Sequence, residues 1–363
     1  MSPAAMTFAA VMAGALAGSP SARAQDEYGD ASLRGAGSTF VQPLMATWVG
    51  QYRTDPWQVL GTVRGSNGGL GDRLSNDGLD YEPVGSLAGI QRIRAGFVDF
   101  AATEMPLPAE YLTKNGLVQF PWVAGAIAIV ATVRGDGVAG AAPLRLDAST
   151  LAAIYLGRIR RWSDPAIVAH NPGRSLPDAP ITVIHRSDGS GTTFTFASWL
   201  ANHDPDWKQQ VGADLLLKWP VGAGQKGTDG VIRALRTTPN AIGYVNAVQA
   251  RQAALPVVAL RNAAGHFLPP DPATVKTALA ELDSASDPGK LRIDAAGDGS
   301  YPLVATVFGL VRTPLDSARQ RRTAEFIAWT LTRGRGLADH GGYASLPEPV
   351  ARATIARLTP ALP

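Results

Sequence analysis

His185-Arg186-Ser187-Asp188-Gly189-Ser190-Gly191-Thr192-Thr193-Phe194 stands where an apolar strand, Ile181 to Ile184, gives way to an apolar helix ending near Leu200. A helix opening at Ser190-Gly191-Thr192 presents N–H groups that lack intrahelical partners, at the positive end of its dipole. Ser190 and Thr192 add hydroxyls, Gly191 lets an anion approach the backbone closely, and Arg186 brings a full charge able to bind two oxygens at once. The combination suits a small tetrahedral oxyanion. The same residues also suit an ordinary strand-to-helix turn with a serine cap and a surface Arg–Asp pair, so the motif alone leaves both readings open.

The design recurs twice upstream. Leu33-Arg34 leads through Gly35-Ala36-Gly37-Ser38-Thr39-Phe40 into a helix with Val41, Leu44, Met45, Trp48, Val49 and Tyr52 at helical spacing. Val84-Gly85-Ser86 precedes a short helix with Leu87, Ile90 and Ile93 on one face, and Val98 to Ala102 then reads as a strand ending at Thr103-Glu104. Three such turns in one chain reduce the ordinary-turn reading to a remote coincidence.

Strand-like and helix-like segments alternate throughout, which predicts an α/β fold with mainly parallel strands. The almost continuously apolar run from Leu117 to Val133 predicts buried strands leaving one domain for another, and the β-rich run from Leu303 to Val311 predicts the return. The expected division is residues 25–126 plus 303–363 in a discontinuous first domain and 127–302 in a second. Ser149 is expected to cap a helix through Tyr155, and Asp164-Pro165 to open another. A helix from about Asp316 to Thr332 is expected to stop at Gly334. Its Arg319, Arg321 and Arg322 read as a solvated face. Trp48, Trp199 and Trp329 read as core. Gly65 to Gly78, rich in Gly, Asn, Asp and Ser, reads as a long loop.

The chain has 363 residues, 45% of them hydrophobic and 17% charged, with a net charge of +3. That is the composition of a globular protein of two ordinary domains and too balanced to imply nucleic-acid binding. The small-residue apolar run from Ala4 to Gly18, followed by Ser21-Ala22-Arg23-Ala24, reads as a signal peptide over residues 1–24, although no Lys or Arg precedes Arg23. With no cysteine, neither a disulfide nor a thioether lipid anchor is available, and a freely soluble periplasmic protein is expected. The five histidines show no H-E-x-x-H pattern, so no metal or cofactor is expected, and Gly222 to Thr228 lacks the Gly-Lys-Thr order of a nucleotide loop. His185 lies close to Ser190 in sequence, yet no G-x-S-x-G elbow is present, and a packing histidine is the preferred reading.

Together the three turns, the leader and the two crossovers resemble the periplasmic phosphate-binding proteins of bacterial ABC importers. Besides the turns, the resemblance rests on Trp162 to Ile167, Asn171-Pro172-Gly173, Lys218 to Gly222, Gly230-Val231, Ala241 to Val245 and Tyr343 to Pro347. It implies a two-domain, type II periplasmic binding protein fold whose interdomain cleft closes by a hinge on inorganic phosphate and docks, as a monomer, on an ABC permease. It also implies ligand contacts from Thr39, the Phe40 N–H, Ser86, Glu104, Arg186, Ser190, Gly191 and Thr192, with Asp188 holding Arg186 and Ser38 supporting the first turn. No catalytic step is implied, although a secreted phosphatase on the same scaffold, or a receptor for arsenate or sulfate, stays open. Glu104 departs from the usual Asp by one methylene, which sets its carboxylate deeper unless the backbone shifts; a solvated strand-end acid is the plain alternative. Leu87 and Ala88 stand where Ser and Gly are usual, and Leu87 is expected in the core of its helix.

Overall fold

A computed structural model describes residues 33–55, 79–134, 143–280, 297–315 and 317–358. The leader read at 1–24 and the loop from Gly65 to Gly78 lie outside them. In chain order come β1 (Leu33–Gly37), α1 (Gln42–Thr54), β2 (Leu79–Glu82), α2 (Ser86–Ala95), β3 (Phe100–Thr103), α3 (Ala109–Lys114) and β4 (Leu117–Ala131). Next are β5 (Arg145–Leu146), α4 (Ala148–Tyr155), α5 (Pro165–His170), β6 (Thr182–Arg186), α6 (Gly191–His203), α7 (Pro205–Gln210), β7 (Ala223–Gln225), α8 (Gly227–Thr237) and β8 (Ala241–Asn246). The chain continues through α9 (Ala247–Gln252), β9 (Ala259–Arg261), β10 (Phe267–Leu268), α10 (Pro272–Ala280), β11 (Val304–Arg312), α11 (Ala318–Leu331), α12 (Arg335–His340), β12 (Ala344–Ser345) and α13 (Glu348–Leu358).

One large sheet runs in the order β2-β1-β3-β11-β4-β8-β6-β7, with β12 added on β4. β1 is parallel to both β2 and β3, and β6 is parallel to both β7 and β8. Parallel neighbours place their carboxyl ends on one edge, which is where ligands collect in such sheets. Between these two parallel sets run the crossing strands. β4 pairs antiparallel with β11 over residues 117–126 and with β8 over Ile127–Ala131. The expected apolar crossover is therefore a single 15-residue strand shared by both halves.

Aromatic side chains fix the helices to the sheet. Trp48 of α1 stacks on Trp122 of β4 with centroids 5.7 Å apart, while Tyr52 meets Phe326 and Trp329 of α11 edge-on. Such pairs contribute about 0.5–1.5 kcal/mol each beyond their buried area. On the other half, Tyr155, Phe196, Trp219 and Tyr244 form a second cluster behind Arg186. Trp48, Trp199 and Trp329 are all buried, as their helical spacing predicts.

Three local expectations need correction. The cap of α4 is Asp147, whose carboxylate accepts the Thr150 N–H at 2.9 Å, and not Ser149. Gly334 has φ −72° and caps the start of α12; it is a glycine because a Cβ there would come within 2.8 Å of the Thr330 Cα and 3.0 Å of Trp48 Nε1. The arginine run is not simply solvated: Arg319 grips Asp99 through Nε and Nη2 at 2.5 and 2.8 Å, tying α11 to the start of β3.

Candidate functional site

The three turns singled out in the sequence converge. Ser190 caps α6, its hydroxyl oxygen accepting the Thr193 N–H at 3.2 Å, so the helix opens at Gly191. The Ser190 N–H is held by the Leu215 carbonyl. Facing this turn is Ser86, the first residue of α2, whose hydroxyl oxygen accepts the Gly191 N–H at 3.1 Å. Gly85 precedes it with φ +93°, and a Cβ at that position would lie 2.8 Å from Asp188 Oδ2. Glycine thus serves both the left-handed backbone and the close approach of the two turns.

The first turn enters from β1. Its Ser38 oxygen accepts the Phe40 N–H at 3.0 Å, and its backbone is anchored where the Tyr81 hydroxyl donates to the Ser38 carbonyl at 2.9 Å. The Phe40 carbonyl accepts from Tyr343 Oη and Asn246 Nδ2, which fixes the peptide that follows the turn. Thr39 reaches across to the other half, accepting from Arg186 Nη1 at 3.1 Å and sharing a 2.8 Å hydrogen bond with the Thr228 hydroxyl at the start of α8.

Arg186, at the end of β6 and 3% exposed, supplies the charge. Asp188 binds it by two bonds, Nε to Oδ1 at 2.7 Å and Nη2 to Oδ2 at 2.5 Å, and also accepts the Gly227 N–H at 2.9 Å. Burial opposes the charge on Asp188, but these donors overcome it and hold the carboxyl below its usual value. The Arg186 backbone is fixed through its N–H to the Tyr244 hydroxyl, which in turn bonds Thr193 Oγ1 at 2.6 Å. Burial pushes the Tyr244 phenol up to about 12, so it stays neutral.

Glu104 is 3% exposed, which excludes the solvated strand-end reading. Its Oε1 accepts from Ser38 Oγ and its Oε2 from Ser86 Oγ, the latter at 2.8 Å. Burial raises its carboxyl above the usual range, against the lowering effect of Ser38, Ser86 and Arg186. Thr192, buried in the first turn of α6, completes the group of sequence-predicted residues; all of them lie around this one region. Leu87 is partly buried against the apolar cluster of α2 and donates its N–H to the Gly189 carbonyl across the site. Thr228, Tyr244, Tyr81 and Tyr343 were not singled out from sequence as site residues. Tyr244 and Tyr343 fall in recognisable segments, but only the tertiary arrangement sets their hydroxyls behind the turns.

Among the described residues no cluster of His, Asp or Glu could hold a metal ion, and no helix is long and apolar enough to cross a membrane.

The model of the PBP superfamily domain matches residues 17–333. The phosphate-binding protein PstS of Xylella fastidiosa is 36% identical over 318 residues, covering 87% of this chain and 81% of its own. PstS of Pasteurella multocida is 34% identical over 322 residues, covering 88% and 87%. The crystal structure of a phosphate-binding protein from Stenotrophomonas maltophilia superposes with a TM-score of 0.63 over 90% of this chain and 93% of its own at 16% identity, a likeness of fold. With its two parallel strand sets joined by two crossing strands, the chain belongs to the PstS family of periplasmic phosphate-binding proteins and has their two-domain, type II binding-protein fold.

Proposed function

We propose that this chain binds inorganic phosphate between its two domains and delivers it to the transmembrane subunits of an ABC permease, as a monomer exported by the leader at 1–24. The domains are residues 25–126 with 303–363, and 127–302. The observation that carries the reading is the convergence of three glycine- and hydroxyl-rich turns on one buried arginine that Asp188 already neutralises. A desolvated phosphate dianion has many lone pairs to satisfy, each costing roughly a few kcal/mol if left without a donor. Thr39, the Phe40 N–H, Ser86, Ser190, the Gly191 N–H and Thr192 supply neutral donors, and Arg186 supplies two more. Because net charge in the site is small, affinity rests on oriented dipoles, which favours later release to a carrier. Glu104 is the acceptor for the proton of a protonated ligand, and so disfavours fully deprotonated sulfate.

The reading is binding and not catalysis. His185 turns its Nδ1 to the Arg186 carbonyl and stacks its ring on Trp219 at 4.7 Å, while the Ser190 oxygen caps a helix; the two do not form a nucleophile and base. Melting of phosphate-stripped protein in phosphate, arsenate and sulfate at several pH values tests this. Phosphate is expected to stabilise strongly and sulfate weakly; equal stabilisation removes the role given to Glu104. Turnover of a chromogenic phosphomonoester that is lost in Ser190→Ala points instead to hydrolysis.

A further inference from the structure

Thr39 and Thr228 meet as a pair of buried hydroxyls, 8% and 4% exposed, with their oxygens 2.8 Å apart. Thr228 stands in the first turn of α8, which packs on β6 and β8. No side chain of its own caps that helix; its Gly227 N–H goes to Asp188 Oδ1 at 2.9 Å, the oxygen that also accepts Arg186 Nε. One carboxylate therefore aligns the start of α8 with the guanidinium, and Thr228 reaches the same Thr39 oxygen that Arg186 Nη1 reaches at 3.1 Å.

Proton order decides what this pair can do. A threonine hydroxyl has one proton to give and two lone pairs to fill, and Arg186 fills one lone pair of Thr39. If Thr39 gives its proton to Thr228, it has none for an oxyanion. If Thr228 gives its proton to Thr39, both lone pairs of Thr39 are filled and its own proton is directed away from both donors, toward a ligand. Among the described residues Thr228 Oγ1 has no hydrogen-bond partner besides Thr39, so this order also satisfies the Thr228 proton. The guanidinium favours it further: an N–H donated to the Thr39 oxygen polarises its O–H into a better donor, for which an anion is a better acceptor than a neutral hydroxyl.

We propose that Thr228 is a positioning residue for phosphate: it donates to Thr39 Oγ1 and so commits the single proton of Thr39 to a ligand oxygen. This deepens, and rests on, the reading of the site as a phosphate seat. Thr228 itself touches no ligand. The donor is built by both halves of the molecule, with Thr39 carried after β1 and its orientation supplied from β6 and α8.

Calorimetric titration with inorganic phosphate, on protein freed of phosphate by unfolding and refolding, compares wild type with two variants. Thr228→Val keeps the shape and removes the hydroxyl; Thr228→Ser keeps the hydroxyl and removes the methyl. Thr228→Val is expected to bind about fivefold to tenfold more weakly, and Thr228→Ser within about twofold of wild type. The substitutions are then repeated in Thr39→Val, where Thr228→Val is expected to cost less than about twofold more, since no Thr39 proton is left to orient. A role confined to holding α8, or direct contact of Thr228 with the ligand, weakens binding equally with and without the Thr39 hydroxyl, and that additive result overturns the proposal. So does Thr228→Val that binds like wild type, or Thr228→Ser that binds as weakly as Thr228→Val. Where Thr228→Val does not refold, Thr228→Ala takes its place. Absence of phosphate binding by refolded wild type defeats the proposed function and this inference with it, whereas an overturning result in variants of a wild type that binds defeats the inference alone.

Discussion

Asp188→Asn isolates the electrostatic support of the site. In wild type the Asp188 carboxylate takes two guanidinium N–H groups and the Gly227 N–H, and the Arg186 and Asp188 side chains are only 2% and 16% exposed. An asparagine oxygen can keep one or two of these bonds, but its NH2 then points at a guanidinium N–H, and Arg186 is left as a buried charge without its counter-ion. Removing one partner of a buried pair costs about 3–5 kcal/mol; retention of some donors to the amide oxygen lowers the expectation to about 2–3 kcal/mol. For domains of this size that corresponds to a fall in Tm of about 5–10 °C in stripped protein. Phosphate then meets an uncompensated cation, so the gain in Tm between stripped and saturated protein should be larger in the variant than in wild type. Differential scanning calorimetry of both proteins, each stripped by unfolding and refolding, measures the two quantities. A stripped variant melting within about 1 °C of wild type would refute the view that Asp188 is what makes the buried guanidinium tolerable.

Gly191→Ala should fold, because alanine favours a helix start more than glycine, yet lose phosphate-induced stabilisation, since its Cβ falls 1.6 Å from Glu104 Oε2 and 2.7 Å from Ser86 Oγ; circular dichroism and melting with ligand separate the two effects. Gly334→Ala should lower the urea midpoint by an amount equivalent to about 2–3 kcal/mol, because the new methyl meets the Thr330 backbone at 2.8 Å, and should leave phosphate affinity unchanged by calorimetry. The two acids respond oppositely to pH. Asp188 is depressed, so its contribution is complete above 3.8 and lost as pH falls through its lower folded value; Glu104 is raised, so the stability gained from its proton is complete below 4.5 and lost as pH rises through its higher folded value. Urea midpoints of stripped protein across pH 2–8 should therefore flatten at the acid end in Asp188→Asn and above pH 4.5 in Glu104→Gln.

The local turns were readable because each is written in contiguous residues: strand, glycine and hydroxyls, then an amphipathic helix. Residues 185–194 became β6, the Ser190 cap and α6 almost without adjustment. Two caps were misplaced for a related reason, since hydroxyl and carboxylate caps two residues apart, Asp147 and Ser149, are equally plausible until the backbone chooses, and Gly334 answers to Trp48 286 residues away. The Arg319 grip on Asp99 spans 220 residues and leaves no local trace. Thr228 gains its place only where Thr39 of the other half reaches it, and the tyrosine hydroxyls gain theirs from partners distant in the chain, Tyr244 from Arg186 and Thr193 and Tyr343 from Phe40. Glu104 entered as a site residue only through the resemblance, by standing where Asp is usual, and the direction of its carboxylate, onto the start of α6, belongs to the folded arrangement alone.

The central claim, that the converging turns form a phosphate seat, meets its most direct test in isothermal titration of wild-type protein freed of retained phosphate by unfolding and refolding. Saturable heat with one inorganic phosphate per chain is expected, and is lost in Gly191→Ala. Absence of any heat with refolded, correctly melting wild type, at phosphate concentrations well above those of the protein, would contradict it.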